Sequence, residues 1–324
     1  MKRVTAVISG LILAFFLCLL VVVMAIGAFL MRDKVKVPTF GKAIAILEIK
    51  GPIYDVEQQM KLLEDYVKDV NICGIILDID SPGGTVVPPQ VLYAALKKAS
   101  KSGKIIVASF GDVAASGAYY IACAADKIVS NPGTVTGSIG VIMNTTNWQD
   151  LMNKIGVKFD NVKSGKFKDI GSPNREMTPE EKELIGSVIN DVYDQFYNAV
   201  EESRLKRINE ILAKNPEYIR EVLTNSDKLN VNLEQLDAIS FLKKITDGRI
   251  FTGRQAYKAG LVDEIGTLDD AVNITKKMCN IKGEPRIIRY KRKPTLMEVI
   301  NGDAETMLGV LKRNGFLLEY RFTP

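Results

Sequence analysis

The sequence predicts an α/β fold around a mostly parallel sheet, preceded by a membrane-spanning helix. Two observations carry this. Short apolar runs sized for buried strands alternate with helical stretches through residues 43–143, and residues 4–31 contain no charged side chain. Strands that alternate with helices make βαβ units, which pair in parallel.

The elements follow in order. Residues 4–31 exceed the roughly 30 Å apolar core of a bilayer at ~1.5 Å per residue. A cleavable leader has a shorter apolar region, and Ala25-Ile26-Gly27 offers it an exit site, but the length favours an uncleaved anchor over residues 1–36. Basic residues flank both ends, so charge leaves its orientation open. Residues 33–42, with Pro38 and Gly41, read as a linker. Strands are expected at 43–49, 72–79, 104–109, 127–130 and 140–143, and helices at 56–70, 89–101 and 114–124. Thr178-Pro179-Glu180-Glu181 reads as a helix start, with Thr178 at the N-cap, Pro179 next and Glu181 completing a capping box. Residues 179–246 read as a longer helical region, broken at Asn215-Pro216 and again around 225–232. Residues 276–324 read as a tail.

Composition narrows the chemistry. The 324 residues carry 43 Lys and Arg against 38 Asp and Glu, a net charge of +5, and no histidine. The basic run at Arg286, Arg289, Lys291, Arg292 and Lys293 has no aromatic platform or nucleic-acid motif beside it and reads as a solvated tail, so no nucleic-acid partner is expected. The four cysteines, Cys18, Cys73, Cys123 and Cys279, form no C-x-x-C pair and read as buried small hydrophobes. A disulfide stays open outside the cytoplasm, with nothing in the spacing to choose a pair. Neither metal nor nucleotide is required as a cofactor: histidine is lacking for a zinc site, and no glycine-rich turn has the phosphate-cradle pattern.

A chain without histidine lacks the commonest general base of acyl transfer, so a serine nucleophile here needs a lysine. Ser116 lies among Ala114, Ala115, Gly117 and Ala118, small neighbours that let a peptide carbonyl approach. The same pattern suits an N-cap serine on tightly packed alanines. Ser81-Pro82-Gly83-Gly84 follows a strand, and its glycines leave amides free to hold an oxyanion, although an ordinary turn has the same look. Lys168 stands among Lys154, Lys158, Lys163 and Lys166, and spacing alone does not single it out. A lysine serving as base must hold a neutral amine near pH 7, well below its ordinary ~10.4, which burial achieves. Ser138, in Thr136-Gly137-Ser138-Ile139-Gly140, offers a hydroxyl that could orient such an amine.

Taken in order, six segments resemble the signal peptide peptidase family, the protease IV type of membrane serine protease, in its short single-unit form. They are Ser81-Pro82-Gly83-Gly84, Ala114-Ala115-Ser116-Gly117, Thr136 to Gly140, Ser164-Gly165-x-x-Lys168-Asp169, Ser172-Pro173 with Arg175-Glu176-Met177-Thr178, and Asp247-Gly248-Arg249 to Gly260-Leu261-Val262-Asp263. The resemblance covers residues 43–275. It implies a Clp protease/crotonase-like ββα superhelix with Ser116 as nucleophile and Lys168 as general base. It implies the Gly83 and Ser116 amides as oxyanion hole and Ser138 as support. It further implies a homo-oligomeric ring, an octamer among its sizes, and leaves open whether the serine and lysine of one site come from the same protomer or from adjacent ones. The ring would be anchored by one span, with the catalytic domain outside the cytoplasm, and its substrates would be signal-peptide remnants and similar apolar peptides. Leu77-Asp78-Ile79-Asp80 departs from the family, in which Arg and Asn are common before Ser-Pro-Gly-Gly. The alternatives are a related serine–lysine protease acting on stomatin-like partners and a crotonase-type acyl-CoA enzyme.

Overall fold

A computed structural model describes residues 41–223, 236–290 and 318–321. The expected anchor at 1–36 and the break near 225–232 lie outside them, and no helix among the described residues is long and apolar enough to cross a membrane.

The sheet starts at β1 (Ala43–Lys50), buried at every position but Glu48 and Lys50, as a strand covered on both faces must be. Helix α1 (Glu57–Lys68) crosses to β2 (Ile72–Ser81), and β3 (Gly83–Thr85) follows the turn at Pro82. Helix α2 (Val87–Lys101) leads to β4 (Ile105–Ala115), helix α3 (Gly117–Ala122) to β5 (Lys127–Ser130), and then come β6 (Val135–Gly137) and β7 (Ile142–Met143). The rest is α4 (Gln149–Lys154), the long α5 (Pro179–Lys214), α6 (Pro216–Val222), α7 (Ala238–Ile245), β8 (Ile250–Thr252), α8 (Gly253–Lys258), β9 (Glu264–Ile265), α9 (Leu268–Met278), β10 (Arg286–Arg289) and β11 (Leu318–Arg321).

Strands β10-β1-β2-β4-β5-β9 run in parallel, β6 adds to the far end of β4, and β8 pairs with β6 antiparallel, which makes the sheet mixed. On one face α9 covers Ile44, Ile46, Ile76, Val107 and Val129. The other face carries the main core, from Leu47 and Leu77 to Phe110, Tyr119 and Phe196. The α/β expectation is met, with the predicted strands and crossover helices in place.

Three boundaries move. Strand β4 continues past Gly111-Asp112 to Ala115, because Asp80 Oδ1 accepts from the Val113 amide at 3.1 Å and Thr134 Oγ1 donates to the Gly111 carbonyl at 2.6 Å. Helix α3 therefore starts at Gly117, not Ala114. The basic run read as a solvated tail instead begins as an edge strand: β10 pairs with β1, and Arg289 reaches Glu48 and Asp78.

A second, three-stranded sheet sets β11 antiparallel between β3 and β7, with Tyr320 opposite Gly84 and Leu318 opposite Met143.

Candidate active site

Ser116 sits where β4 turns into α3. Its side chain is 1% exposed and its backbone holds φ 56° and ψ −121°. Such a conformation costs of order 1–3 kcal/mol for a residue with a side chain and persists only where the surroundings impose it. Here the Ser116 amide donates to the Gly137 carbonyl at 2.8 Å, and the Ser116 carbonyl accepts from the Tyr120 amide at 2.9 Å. The serine hydroxyl is not spent on capping α3. The N-cap role read as the plain alternative is therefore not the one it plays.

The register of β2 on β4 places Ser81 beside Ala114, so Gly83 and Ser116 each lie two residues beyond that pair, at the same end of the sheet. Gly83 takes φ 93°, donates its amide to Ser81 Oγ at 3.1 Å and accepts from the Ile53 amide at 2.8 Å. Gly84 permits this approach: a Cβ there would stand 2.0 Å from the Ile53 carbonyl oxygen. Strand β6 brings Gly137 beside Ala115, and Ser138 follows at φ 49° with its amide on the Arg249 carbonyl at 2.8 Å. The fold thus gathers Ser116, Gly83 and Ser138 at one end of the sheet.

Lys168 is exposed on the loop before α5, in a turn closed by its own amide on the Gly165 carbonyl at 3.1 Å. The next residue is tightly held. Asp169 accepts from Arg175 Nη2 at 2.9 Å and from Lys163 at 2.5 Å, and Arg175 Nη1 donates to buried Glu181 at 2.8 Å. Glu181 also completes the capping box foreseen at Thr178, accepting from its amide at 2.9 Å. Arg175 holds the Asp169 carboxyl well below the usual carboxylate range, with help from Lys163. It also brings the Glu181 carboxyl down to about 2.

Residues 98–233 and 234–282 match the model of Peptidase family S49. The chain belongs to peptidase family S49. A Synechocystis protein named as a protease is 40% identical over 232 residues, 71% of this chain and 72% of its own length. Protease 4 of Salmonella typhi is 29% identical over 80% of this chain and 38% of that protein. The chloroplastic serine protease SPPA of Arabidopsis thaliana is 27% identical over 86% and 38%. The chain thus spans well under half of those two longer relatives. A solved membrane-bound stomatin-specific protease overlays with TM-score 0.43 and 13% identity, covering 79% of this chain and all of that one. The chain is a serine peptidase of family S49.

This S49 chain also holds its serine through groups that sequence reasoning passed over. Tyr119, fully buried three residues past Ser116, donates to the Leu261 carbonyl at 2.7 Å. Arg204, buried in α5, donates to the Gly260 carbonyl at 3.1 Å and to both Asp263 oxygens at 2.9 Å. Burial alone would raise the Asp263 carboxyl; Arg204 outweighs it and holds the group below its ordinary value. The Asp263 side chain also accepts from the Ile128 amide at 2.8 Å, joining α5 to β5. Asp263 stood at the end of a recognised segment, but Arg204 is one charge among many on a polar helix.

Proposed function

We propose that this S49 serine peptidase is a membrane-anchored endopeptidase of the serine–lysine type that hydrolyses apolar peptides such as signal-peptide remnants. The observation that carries this reading is the buried, uncapped Ser116 hydroxyl on a strained elbow, beside the Gly83 turn and away from any histidine. In it, Lys168, once a neighbouring protomer buries its amine, takes the Ser116 proton, Ser116 Oγ attacks the peptide carbonyl, and the lysinium then protonates the leaving amine. Water, deprotonated in turn by the amine, releases the acyl group.

The Ser116 amide is held in the sheet by the Gly137 carbonyl, so the oxyanion donors are assigned to Gly83, whose amide would exchange its 3.1 Å bond to the Ser81 hydroxyl for the oxyanion, and to Gly117, whose amide at the first position of α3 has no acceptor within the helix. Ser138, next to Gly137, is assigned to steering the amine. Substrate would lie extended along β3 and β7, the edges that β11 pairs with, because backbone hydrogen bonding accepts many sequences.

An exposed lysine and a buried serine fit a site completed between protomers of a homo-oligomeric ring with the Clp/crotonase-like superhelical fold. Residues 1–36 are assigned to a single-pass anchor that holds the catalytic part outside the cytoplasm.

The test uses the full chain in detergent with an apolar signal-peptide substrate. Ser116→Ala and Lys168→Ala should each lower the rate by roughly a thousandfold or more. Full activity in either variant would overturn the dyad. Mixing the two variants with subunit exchange should restore part of the rate; no recovery would place both groups in one protomer.

A further inference from the structure

Cys73 and Cys279 lie far apart in sequence and side by side in the fold. In β2, Ile72 opposes Ala43 and Gly74 opposes Ile44, so Cys73 is an extra residue in a bulge. A bulge re-aims a side chain, and burial shows it. Ile72, Ile75 and Leu77 belong to the main core, whereas Gly74 faces α9. Without the bulge Ile72 would face α9 and Cys73 the main core. With it, Cys73 and Gly74 both turn to α9, whose C-terminal cap residue is Cys279. A Cβ on Gly74 would stand 3.1 Å from Cys279 Sγ and 2.3 Å from Thr275 Cγ2, so only glycine leaves room for this approach.

The Cys73 side chain lies close enough to Cys279 to act on its thiol. Cys73 Sγ also reaches the Ala43 carbonyl at 3.4 Å, and the Lys42 ammonium sits on the Cys279 carbonyl at 2.8 Å. Burial pushes the Cys279 thiol up to about 12, with Cys73 adding to the rise and Lys42 opposing it. Cys73 is half-buried and is the thiol a reagent meets first.

We infer that Cys73 and Cys279 form a disulfide when the chain meets an oxidising thiol–disulfide couple. With oxidised glutathione, the Cys73 thiolate attacks one glutathione sulfur and releases the first glutathione thiol. The Cys279 thiolate then attacks the Cys73 sulfur and releases the second. One disulfide is reduced, two protein thiols are oxidised, and their two protons end on the two glutathiones. The bond would close a loop of roughly 200 residues, linking the start of β2 to the end of α9 and constraining the unfolded chain. This does not depend on peptidase activity.

The full chain, folded in detergent, is incubated with oxidised glutathione, blocked with iodoacetamide and digested without reduction. Mass spectrometry should show the Cys73 and Cys279 peptides joined, with fully buried Cys123 unlinked. Thermal unfolding should then fall by several degrees when dithiothreitol is added to the oxidised wild type, and should not respond in Cys73→Ser. Separate glutathione adducts, or Cys73 and Cys279 both recovered as free thiols, would overturn the inference. So would a wild-type melting temperature indifferent to dithiothreitol.

Discussion

The Tyr119 hydroxyl donates to the Leu261 carbonyl at 2.7 Å, with both residues fully buried. This bond fixes α3 against the 260–263 segment and so holds the elbow that carries Ser116. Tyr119→Phe keeps the ring and strands the carbonyl. We expect a loss of about 1–3 kcal/mol in urea unfolding, and a lower kcat with little change in KM. An unchanged unfolding midpoint would show that the bond contributes nothing.

Arg204→Met should cost more, about 3–5 kcal/mol, because it leaves the buried Asp263 carboxylate with only the Ile128 amide and a 3.5 Å approach from half-exposed Lys127. Adding Asp263→Leu removes the stranded charge and should recover part of that loss. A double variant no more stable than Arg204→Met alone would contradict this account, and denaturant titration of the three chains decides it.

Acid should loosen the loop that carries Lys168. The folded carboxyls of Asp169 and Glu181 titrate below their ordinary values, Glu181 at about 2. The folded state therefore binds fewer protons than the unfolded state in mild acid. The stabilisation is complete above the ordinary carboxylate range and is lost as pH falls from about 4.5 toward 2. Melting temperature followed over that window should fall less steeply in Glu181→Gln, which starts from a lower value at pH 7. Parallel curves for the two chains would exclude Glu181 as a source of the acid loss.

Gly84→Ala places a Cβ against the Ile53 carbonyl oxygen, at a separation no real contact tolerates. Strand β3 must shift and take Gly83 with it. We expect peptide hydrolysis to fall by roughly a hundredfold, while circular dichroism retains the helices of the main core. Wild-type rates would mean that the Gly83 turn takes no part in the reaction.

A chain ending at residue 317 lacks β11 and frees the edges of β3 and β7. KM for an extended peptide should drop. A KM equal to that of the full chain would place the substrate elsewhere.

Much of this was readable from residues, for identifiable reasons. Buried strands such as Ile72–Ser81 announce themselves by continuous apolar runs, and the α5 start by its Thr178–Glu181 box. Ser116 was visible because bulk vanishes on both sides of it. Strands β6, β8 and β9 are two or three residues long and exist only through partners distant in sequence, so no local pattern marks them. The continuation of β4 depends on Asp80 and Thr134, neither of them in that strand. Arg204 looks like any solvated cation until Gly260 and Asp263 are brought beneath it. The Cys73–Cys279 approach needs the bulge, which a one-strand pattern cannot reveal.

The contrast between a serine sunk at the head of α3 and a lysine exposed on a surface loop has a consequence for the life of the molecule. If chemistry waits for a neighbour's amine, a newly made subunit is inert wherever it is alone. Hydrolysis would begin only where copies gather, so local crowding would set where peptides are cut.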